Sequence, residues 1–380
     1  MSELRSLAVL TTGRQDYGIL RSTILLLRDD AQIRATVWAG GMHLRERFGP
    51  PLALLAADGV RPARQLDFLG EPPEPAADAA RALTAVAAAL REECPDALLL
   101  AGDRSETLAA GLGAALASVP IVHVHGGEET EGAVDNVCRH ALTKLSHLHL
   151  VSHERHAARV RQMGEPPETV VVVGAPGLDN LCRPDLPSRA EVAATLRHPL
   201  PDPLVLVTVH PTTLGDEPEA EVRAVADALA TRGATYVITQ PNADVGGDTI
   251  RRFWAEWARG RPNVVVVDAL GEKRYWALLR EAAAVVGNSS SGIVEAPAAG
   301  VPVVNVGERQ RGRLRSGRVI DAPARADAVA EALEAALSGT VGAPAAPAGY
   351  PPGPVAPRIV AALRRWQPPR PPQKRFRDLP

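Results

Sequence analysis

The sequence predicts an α/β fold of two domains, each built on a parallel sheet covered by helices. Short apolar runs typical of buried strands alternate with helical patterns along most of the chain, as in parallel sheets with helices on both faces. The length of 380 residues exceeds one ordinary domain and suits two. The stretch 184–203 contains five prolines and separates two such regions, so it is the best candidate for a domain boundary.

We therefore predict an N-terminal domain at 1–183 and a second domain at 204–357. A helix and a basic, proline-rich tail follow at 358–380. By analogy with other two-domain folds, this last segment is expected to pack back on the first domain.

Composition excludes several classes of protein. Hydrophobic residues make up 46% and charged residues 23%, so a large core is expected. The net charge of −2 and the aromatic content of 3% give no reason to expect a nucleic acid or a membrane surface as partner. The three cysteines are widely spaced and fit neither a disulfide framework nor a zinc site, which suggests a reducing compartment. Without a signal peptide or a membrane-spanning run, a cytoplasmic protein is expected.

The first domain contains six apolar runs that predict strands, most of them bounded by Gly, Pro, Asn or Asp. They are Leu7–Thr11, Thr36–Trp38, Ala97–Ala101, Val119–Val124, Leu148–Ser152 and Val170–Val173. Helical patterns lie between several of them, at Ile19–Leu27, Ala76–Arg91 and Glu106–Ala117. This alternation is how nucleotide-binding α/β domains are built, and their ligands bind at the carboxyl ends of the strands.

Two residues near the first strands are candidates for ligand binding. Arg14 follows the first strand in a glycine-containing loop, where a cation could meet a phosphate, while Asp16 could simply cap the next helix. His43 lies in the loop after the second strand, where a single histidine is more often a bystander. A surface or capping function remains open for all three.

Ionisable residues also end two later strands of this domain. Asp103 and Arg104 follow one strand, and His125 and Glu128 follow the next. Core packing does not explain such residues at these points. Asp135 lies on a predicted helix with Arg139 and His140, where a plain helix salt bridge could explain some of these residues.

The second domain repeats the pattern, with polar residues again placed at strand ends. Its predicted strands are Leu204–Thr208, Thr235–Thr239, Val264–Asp268, Ala283–Val286 and Val301–Val306. Helices are predicted at Val222–Ala230, Tyr275–Ala283, Ala326–Leu337 and Ile359–Trp366. The polar residues at or near strand ends are His210, Asn242, Asp244, Ser289, Ser290, Glu295 and Arg309.

The turn Gly287-Asn-Ser-Ser-Ser-Gly is the most informative stretch of this domain. It joins a buried strand to a short predicted helix, so its backbone N–H groups could bind an anion such as phosphate. Glu295 lies on the first turns of that helix, from which its carboxylate could accept hydrogen bonds from a ribose diol. Serines that only cap the helix are an equally weighted alternative.

In their order along the chain, these segments resemble the hydrolysing UDP-N-acetylglucosamine 2-epimerases of sialic acid biosynthesis. The similarity extends from about residue 10 to about residue 320. The matching segments are TTGRQDYG at 11, GDR at 102, HVHGGEETEG at 123, RHALTKLSH at 139, GAPGLDN at 174, VHP at 209, QPNAD at 240, GNSSSGIVE at 287 and GERQ at 307. The segments at 123 and 139 distinguish this branch from the non-hydrolysing epimerases.

The resemblance implies the GT-B fold, in which two Rossmann-like domains face each other across a cleft. It implies that UDP is held by Arg14, His210, Asn242, Asp244, Ser289, Ser290, Glu295 and Arg309. It also implies that Asp103, Glu128 and Asp135 supply acid and base groups, with Arg104 and His43 nearby. Neither a metal nor a cofactor is required, and a homodimer or homotetramer is expected.

The implied reaction suits these residue types. A carboxylate with a tuned pKa can remove the proton at C2 while arginines stabilise the departing diphosphate. Water then adds to the resulting glycal, and the products are UDP and N-acetylmannosamine.

Two departures leave alternatives open. Several relatives carry Glu at the position of His125, and Asn136 replaces an acidic residue that often follows Asp135. Histidine can also act as acid or base near neutral pH, so His125 is a catalytic candidate. A different sugar such as a 2,4-diacetamido-trideoxyhexose, a nucleotide-sugar hydrolase without inversion at C2, and a GT-B glycosyltransferase or inactive sensor are the alternatives.

Overall fold

The computed structural model describes residues 5–131, 133–212, 218–241, 246–315, 317–339, 350–351, 353–375 and 377–378. The described residues divide into two compact units. Unit 1 comprises those within 1–128, 135–180 and 350–380, and unit 2 those within 129–134 and 181–349. The chain therefore enters unit 2 briefly at 129–134 and returns to unit 1 at its end.

Each unit has one fully parallel sheet. The strands are β1 Arg5–Thr11, β2 Ile33–Gly40, β3 Arg64–Leu66, β4 Ala97–Ala101, β5 Ile121–Val124, β6 Leu148–Val151, β7 Val170–Val172, β8 Leu204–Thr208, β9 Thr235–Thr239, β10 Val264–Val267, β11 Ala284–Gly287, β12 Val303–Val306 and β13 Val319–Ala322. The order is β3-β2-β1-β4-β5-β6-β7 in unit 1 and β10-β9-β8-β11-β12-β13 in unit 2.

Helices connect most consecutive strands, as parallel pairing requires. They are α1 Arg14–Arg28, α2 Ala53–Ala57, α3 Pro75–Glu93, α4 Ser105–Leu116, α5 Asp135–Leu145, α6 Glu154–Gln162, α7 Arg189–Leu196, α8 Pro218–Ala230, α9 Gly247–Trp257, α10 Glu272–Glu281, α11 Glu295–Ala298, α12 Ala326–Leu337 and α13 Ala356–Arg365. The predicted class of two Rossmann-like α/β domains is confirmed.

The central strands are apolar on both faces because helices cover both faces of each sheet. In unit 1 one core layer contains Val9 and Leu99, and the opposite layer contains Leu10 and Leu98. Unit 2 shows the same division, with separate clusters on the two faces of its sheet. Among the described residues, no helix has the length and apolar character needed to cross a membrane.

Helix α13 completes the core of unit 1, although it follows unit 2 in the chain. Ile359, Val360 and Leu363 are each at most 3% exposed and belong to the same cluster as Val9 and Leu20. The tail beyond α13 also contacts unit 1, where Arg370 pairs with Asp96 just before β4.

A buried carboxylate holds the tail in place. Glu165 is 2% exposed and accepts hydrogen bonds from Lys144 Nζ at 2.6 Å and His149 Nε2 at 3.0 Å. Lys374 of the tail lies 2.7 Å from the same carboxylate. Burial alone would raise the pKa of Glu165, but hydrogen bonds from His149 and the two lysines lower it to about 2.

We predict that this carboxylate contributes to acid sensitivity. The pKa is lower in the folded protein, so the contribution is present above the ordinary value of 4.5 and is lost as the pH falls toward 2. Glu165→Gln should therefore reduce the slope of the free energy of unfolding against pH in that window, as measured by urea titrations. The exposed neighbour Glu168 is the control, and Glu168→Gln should keep the wild-type slope. Equal slopes for the wild type and Glu165→Gln would refute this prediction.

Candidate active site

The loop between β1 and α1 is organised by the carboxylate of Asp16. It accepts hydrogen bonds from the backbone N–H of Thr12 at 2.6 Å, Gly13 at 2.9 Å and Tyr17 at 2.8 Å. Asp16 is only 5% exposed, so it ties the loop to the start of α1. The capping interpretation left open for Asp16 is the one that the structure supports.

His43 and Arg14 lie beside this loop. His43 is 6% exposed, and its Nε2 is 2.9 Å from Thr11 Oγ1. Burial lowers the pKa of His43, although the nearby Asp16 carboxylate opposes the shift, so the imidazole is neutral at pH 7. Arg14 is the first residue of α1 and lines the same small pocket as His43 and Met42. This pocket of unit 1 therefore combines a cation with a neutral imidazole.

A buried arginine joins the loops that follow β4 and β5 to helix α5. The side chain of Arg139 is 1% exposed and forms an ion pair with the carboxylate of Asp103. Its Nη1 donates to the backbone carbonyl of Glu128 at 3.0 Å and to Asn136 Oδ1 at 3.1 Å. Burial alone would lower the pKa of Arg139, but the charges of Asp103, Glu128 and Asp135 raise it. Arg139 is therefore a permanent positive charge among three carboxylates.

Arg139 has a partner that the sequence did not indicate. Its guanidinium pairs with Asp103 on another loop, and the charge of Asp135 also raises the pKa of Arg139. Asp135 is the half-buried first residue of α5. Arg104 precedes α4, and its Nε donates to the buried Glu106 at 2.6 Å. Asp103, Glu128 and Asp135 are therefore grouped around Arg139, while Arg104 is held by a different carboxylate.

His125 and Glu128 form a close pair at the end of β5. His125 Nδ1 is 2.6 Å from Glu128 Oε1, and the two side chains are 14% and 6% exposed. His125 has a φ of 70°, a left-handed conformation that is uncommon for a residue with a side chain and is often found at functional sites. Ser152 Oγ donates to the same Glu128 oxygen at 2.8 Å. Within this pair the imidazole of His125 is partly exposed, and the carboxylate of Glu128 is the more buried group.

The corresponding centre of unit 2 is Asn288, which is fully buried. Its side chain accepts from His210 N at 2.7 Å and donates to His210 O at 2.8 Å and to Glu221 at 2.5 Å. Its backbone carbonyl accepts from Arg309 Nη1 at 3.2 Å and from Gln310 Nε2 at 2.8 Å. One asparagine thus fixes the positions of His210 and Arg309. Burial raises the pKa of Glu221, although hydrogen bonds from Thr212 and Asn288 oppose the shift.

The turn after β11 is shorter and more irregular than the expected start of a helix. A 3-10 turn at Ser290–Gly292 is followed by the four-residue α11, whose first residue is Glu295. Pro297 is the third residue of α11, in the first turn, where a backbone N–H would have no partner within the helix. Ser289 Oγ accepts from Ser291 N at 3.4 Å, so capping by a serine is observed. Ser290 is exposed and Ser289 is half-buried.

The predicted site residues fall into two groups. Unit 1 contains Arg14, His43, Asp103, Arg104, His125, Glu128 and Asp135, and unit 2 contains His210, Ser289, Ser290, Glu295 and Arg309. Asn242 and Asp244 lie outside the described residues. Sequence reasoning did not place Arg139, Asn288, Glu221 or Ser152 in a site. The polar residues next to strand ends were a usable signal for Asn288, whereas Arg139 was considered only as a helical partner of Asp135.

The chain is similar in sequence to several known proteins. The sequence model of the UDP-N-acetylglucosamine 2-epimerase family matches residues 26–364. A protein of Legionella pneumophila named UDP-N,N'-diacetylbacillosamine 2-epimerase (hydrolyzing) is 33% identical over 345 residues, which are 88% of this chain and 89% of the relative. A protein of Campylobacter jejuni named GDP/UDP-N,N'-diacetylbacillosamine 2-epimerase (hydrolyzing) is 30% identical over 335 residues, 83% of this chain and 84% of the relative.

A solved structure gives the same fold. The UDP-GlcNAc 2-epimerase of Neisseria meningitidis, bound to UDP-GlcNAc, is similar with a TM-score of 0.79 and 16% identity. The match covers 94% of this chain and 99% of that one. At this identity the likeness concerns the fold alone, which is of the GT-B type with two Rossmann-like domains.

We predict that Gly287 tolerates no side chain. Its φ is 136°, and a Cβ atom there would lie 1.9 Å from the backbone oxygen of Thr208 in the neighbouring strand β8. Gly287→Ala should destabilise unit 2 by more than about 2 kcal/mol, measured by chemical denaturation. Gly300 is a matched control, because its φ is 81° and no atom lies within 4 Å of the added Cβ. A similar loss in Gly300→Ala would mean that backbone strain alone, not the contact with Thr208, determines the result.

Proposed function

Because this chain belongs to the UDP-N-acetylglucosamine 2-epimerase family, we propose that it is a hydrolysing 2-epimerase. It converts a UDP-2-acetamido sugar to UDP and the free sugar inverted at C2. The observation that supports this proposal most strongly is the group of carboxylates around Arg139, at the ends of β4 and β5 and the start of α5. Proton transfer at a carbon and departure of a diphosphate both need ionised groups of this kind.

The proposed reaction has two steps. In the first, a base removes the proton at C2, the C1–O bond breaks, and UDP leaves with that electron pair to give a glycal with a C1=C2 double bond. In the second, water adds its oxygen to C1 while an acid protonates C2 from the opposite face. Asp103, Glu128, Asp135 and His125 are the proposed acid and base groups, and Arg104 supports the departing negative charge.

The two units have separate functions in this proposal. Residues 1–183 provide the proton-transfer groups, with Arg14 and His43 beside the sugar and diphosphate. Residues 204–357 bind UDP through His210, Arg309, Ser289, Ser290 and Glu295, and through Asn242 and Asp244. The hydrogen bonds of Asn288 support UDP binding in unit 2. They fix Arg309 and His210 at the carboxyl ends of the strands, where such folds bind ligands. Glu295 is the proposed acceptor of the ribose hydroxyls.

Two sugars are candidates for the substrate. The resemblance in the motifs favours UDP-N-acetylglucosamine. The names of the relatives with 33% and 30% identity favour UDP-N,N'-diacetylbacillosamine instead. The ratio of kcat/KM for the two nucleotide sugars decides between them. We further propose a homodimer or homotetramer in the cytoplasm, to be tested by light scattering on the purified protein and by cell fractionation.

The test of the reaction is proton and phosphorus NMR of the enzyme with each nucleotide sugar in D2O. The expected result is release of UDP together with the C2-inverted sugar carrying deuterium at C2. Release of the uninverted sugar with its C2 proton retained would instead identify a simple hydrolase. Consumption only when an acceptor sugar is added would identify a glycosyltransferase.

We predict that Asp103→Asn loses most turnover but keeps its affinity for UDP. The substitution removes an ionisable group of the proposed acid and base set, while Asp103 is not among the residues proposed to bind UDP. A loss of kcat of at least about 100-fold is expected from removal of such a group. Calorimetric titration with UDP and the NMR assay measure the two properties. Asp29→Asn, an exposed substitution in the same unit, is the control, and near-normal turnover in Asp103→Asn would remove Asp103 from the proposed set.

A further inference from the structure

A buried row of hydrogen-bonded side chains lies behind Glu128, and the functions proposed above leave it unused. Ser152 Oγ is 2.8 Å from Glu128 Oε1 and 2.8 Å from His156 Nδ1. Glu128, Ser152 and His156 are 4%, 1% and 4% exposed. The row therefore begins at the partly exposed His125 and ends inside unit 1.

The positions of the protons follow from what each group can donate. A carboxylate only accepts, so Glu128 requires that both His125 Nδ1 and Ser152 Oγ donate to it. The Ser152 hydroxyl then has its proton directed to Glu128 and must accept from His156 Nδ1. Burial is the main reason that the pKa of His156 falls to about 4, so this imidazole is neutral at pH 7 and carries its proton on Nδ1. Every donor in the row points toward Glu128.

This arrangement leaves Nε2 of His125 as the basic atom. A neutral imidazole that donates from Nδ1 has an unprotonated Nε2. A carboxylate on Nδ1 also stabilises the imidazolium that forms when Nε2 takes up a proton, as in the histidine–aspartate pairs of hydrolases. Both donors bind Oε1 of Glu128, so this oxygen sets the orientation of the His125 imidazole.

Helix α6, which carries His156, contacts the loop that carries His125 and Glu128. Gly127 has a φ of 78°, and a Cβ atom there would lie 2.4 Å from the backbone oxygen of His156. Arg159 donates to the carbonyl of Gly127 from the next turn of the same helix. The loop that carries His125 and Glu128 is thus packed directly on α6.

We propose that Ser152 and His156 are positioning residues that act through Glu128 to hold His125 with Nε2 ready to accept a proton from water. This inference rests on the proposed epimerase reaction and divides its proton-transfer functions. His125 is the catalytic base of the hydration step, and Glu128 orients it. The oxygen of water forms its bond to C1 of the glycal, the O–H bond breaks toward His125 Nε2, and the C1=C2 electron pair takes a proton from a carboxylic acid at C2. The net change is addition of one water molecule.

Several charged and titratable groups face the row and affect the protonation of its members. Glu128 faces His125 and, through Ser152, His156. The Nδ1 atom of His156 is 4.0 Å from Glu128, and Arg159 and His153 lower the pKa of His156 after the dominant effect of burial. On the other side Arg139 reaches the backbone of Glu128. The row therefore contains the negative charge of Glu128 and lies beside the positive charge of Arg139.

The first experiment measures turnover in variants of the row. Ser152→Ala should lower kcat about tenfold with little change in KM, because it removes a positioning contact and no substrate contact. Ser152→Thr keeps the hydroxyl and should recover most of the turnover. His153→Asn is the control, since asparagine can still cap α6 and His153 lies outside the row. Equal kcat in the wild type and Ser152→Ala, or equal loss in Ser152→Ala and Ser152→Thr, would overturn the proposal.

The hydration step is tested separately by replacing its proposed base, His125. His125→Asn should still release UDP and should accumulate the glycal, whose vinyl proton is visible by NMR. Loss of UDP release in this variant would show that His125 acts before the hydration step and would overturn the assignment.

The tautomer gives a test that does not depend on activity. Proton–nitrogen correlation spectra of the protein with ¹⁵N-labelled histidine should show His125 protonated on Nδ1, with the signals assigned from His125→Asn. Glu128→Gln should shift the proton toward Nε2, because the amide can donate to Nδ1. A proton on Nε2 in the wild type would overturn the proposal whether or not the protein acts on a nucleotide sugar, whereas the expected spectrum without turnover would overturn only the epimerase reaction.

Discussion

The burial of one guanidinium group determines how the loops of unit 1 are arranged. Taking a charge out of water costs several kcal/mol unless partners replace its hydration, so Arg139 can be buried only where other polar groups reach it. Asp103, the carbonyl of Glu128 and Asn136 come from three different segments and meet that requirement. Because Arg139 is on α5, the helix and the loops after β4 and β5 have to be placed together.

In unit 2 the loops are arranged around a buried side chain that is neutral, the amide of Asn288. The amide of Asn288 has both a donor and an acceptor, so it can satisfy the two backbone groups of His210 at once. The backbone carbonyl of Asn288 is left for Arg309 and Gln310. Both units therefore place one buried polar residue at the carboxyl end of a parallel sheet, where the loops of successive strands come together. Any ligand that binds there meets loops whose conformation is already determined.

Much of the fold could be predicted from the sequence because buried parallel strands are apolar along their whole length. The strands Ala97–Ala101, Leu204–Thr208 and Thr235–Thr239 have the predicted bounds. The two strands that were missed, β3 and β13, lie at sheet edges and contain charged residues, Arg64 and Asp321. An edge strand is buried less completely, so its apolar signal is weak.

The partners within the site were harder to predict than its position. The polar residues at strand ends indicated where a site would form, yet the contacts that organise it join residues far apart in sequence. Asp103 and Arg139 are 36 positions apart, and His210 and Asn288 are 78 apart. Which side chain reaches which depends on the crossing of helices over the sheet, and no local pattern encodes that. The local alternative of a salt bridge within α5 therefore gave no indication of the ion pair between Arg139 and Asp103.

The return of α13 to unit 1 has a consequence for protein synthesis. Ile359 and Leu363 fill the same core as Val9, which leaves the ribosome long before them. Residues 181–349 are made in between, and at cellular rates this takes roughly 10–30 s. During that interval the first sheet exposes the apolar groove that α13 later occupies. Unit 1 therefore begins to emerge before unit 2 and is completed after it, so truncated or stalled chains leave this groove open to chaperones or to aggregation.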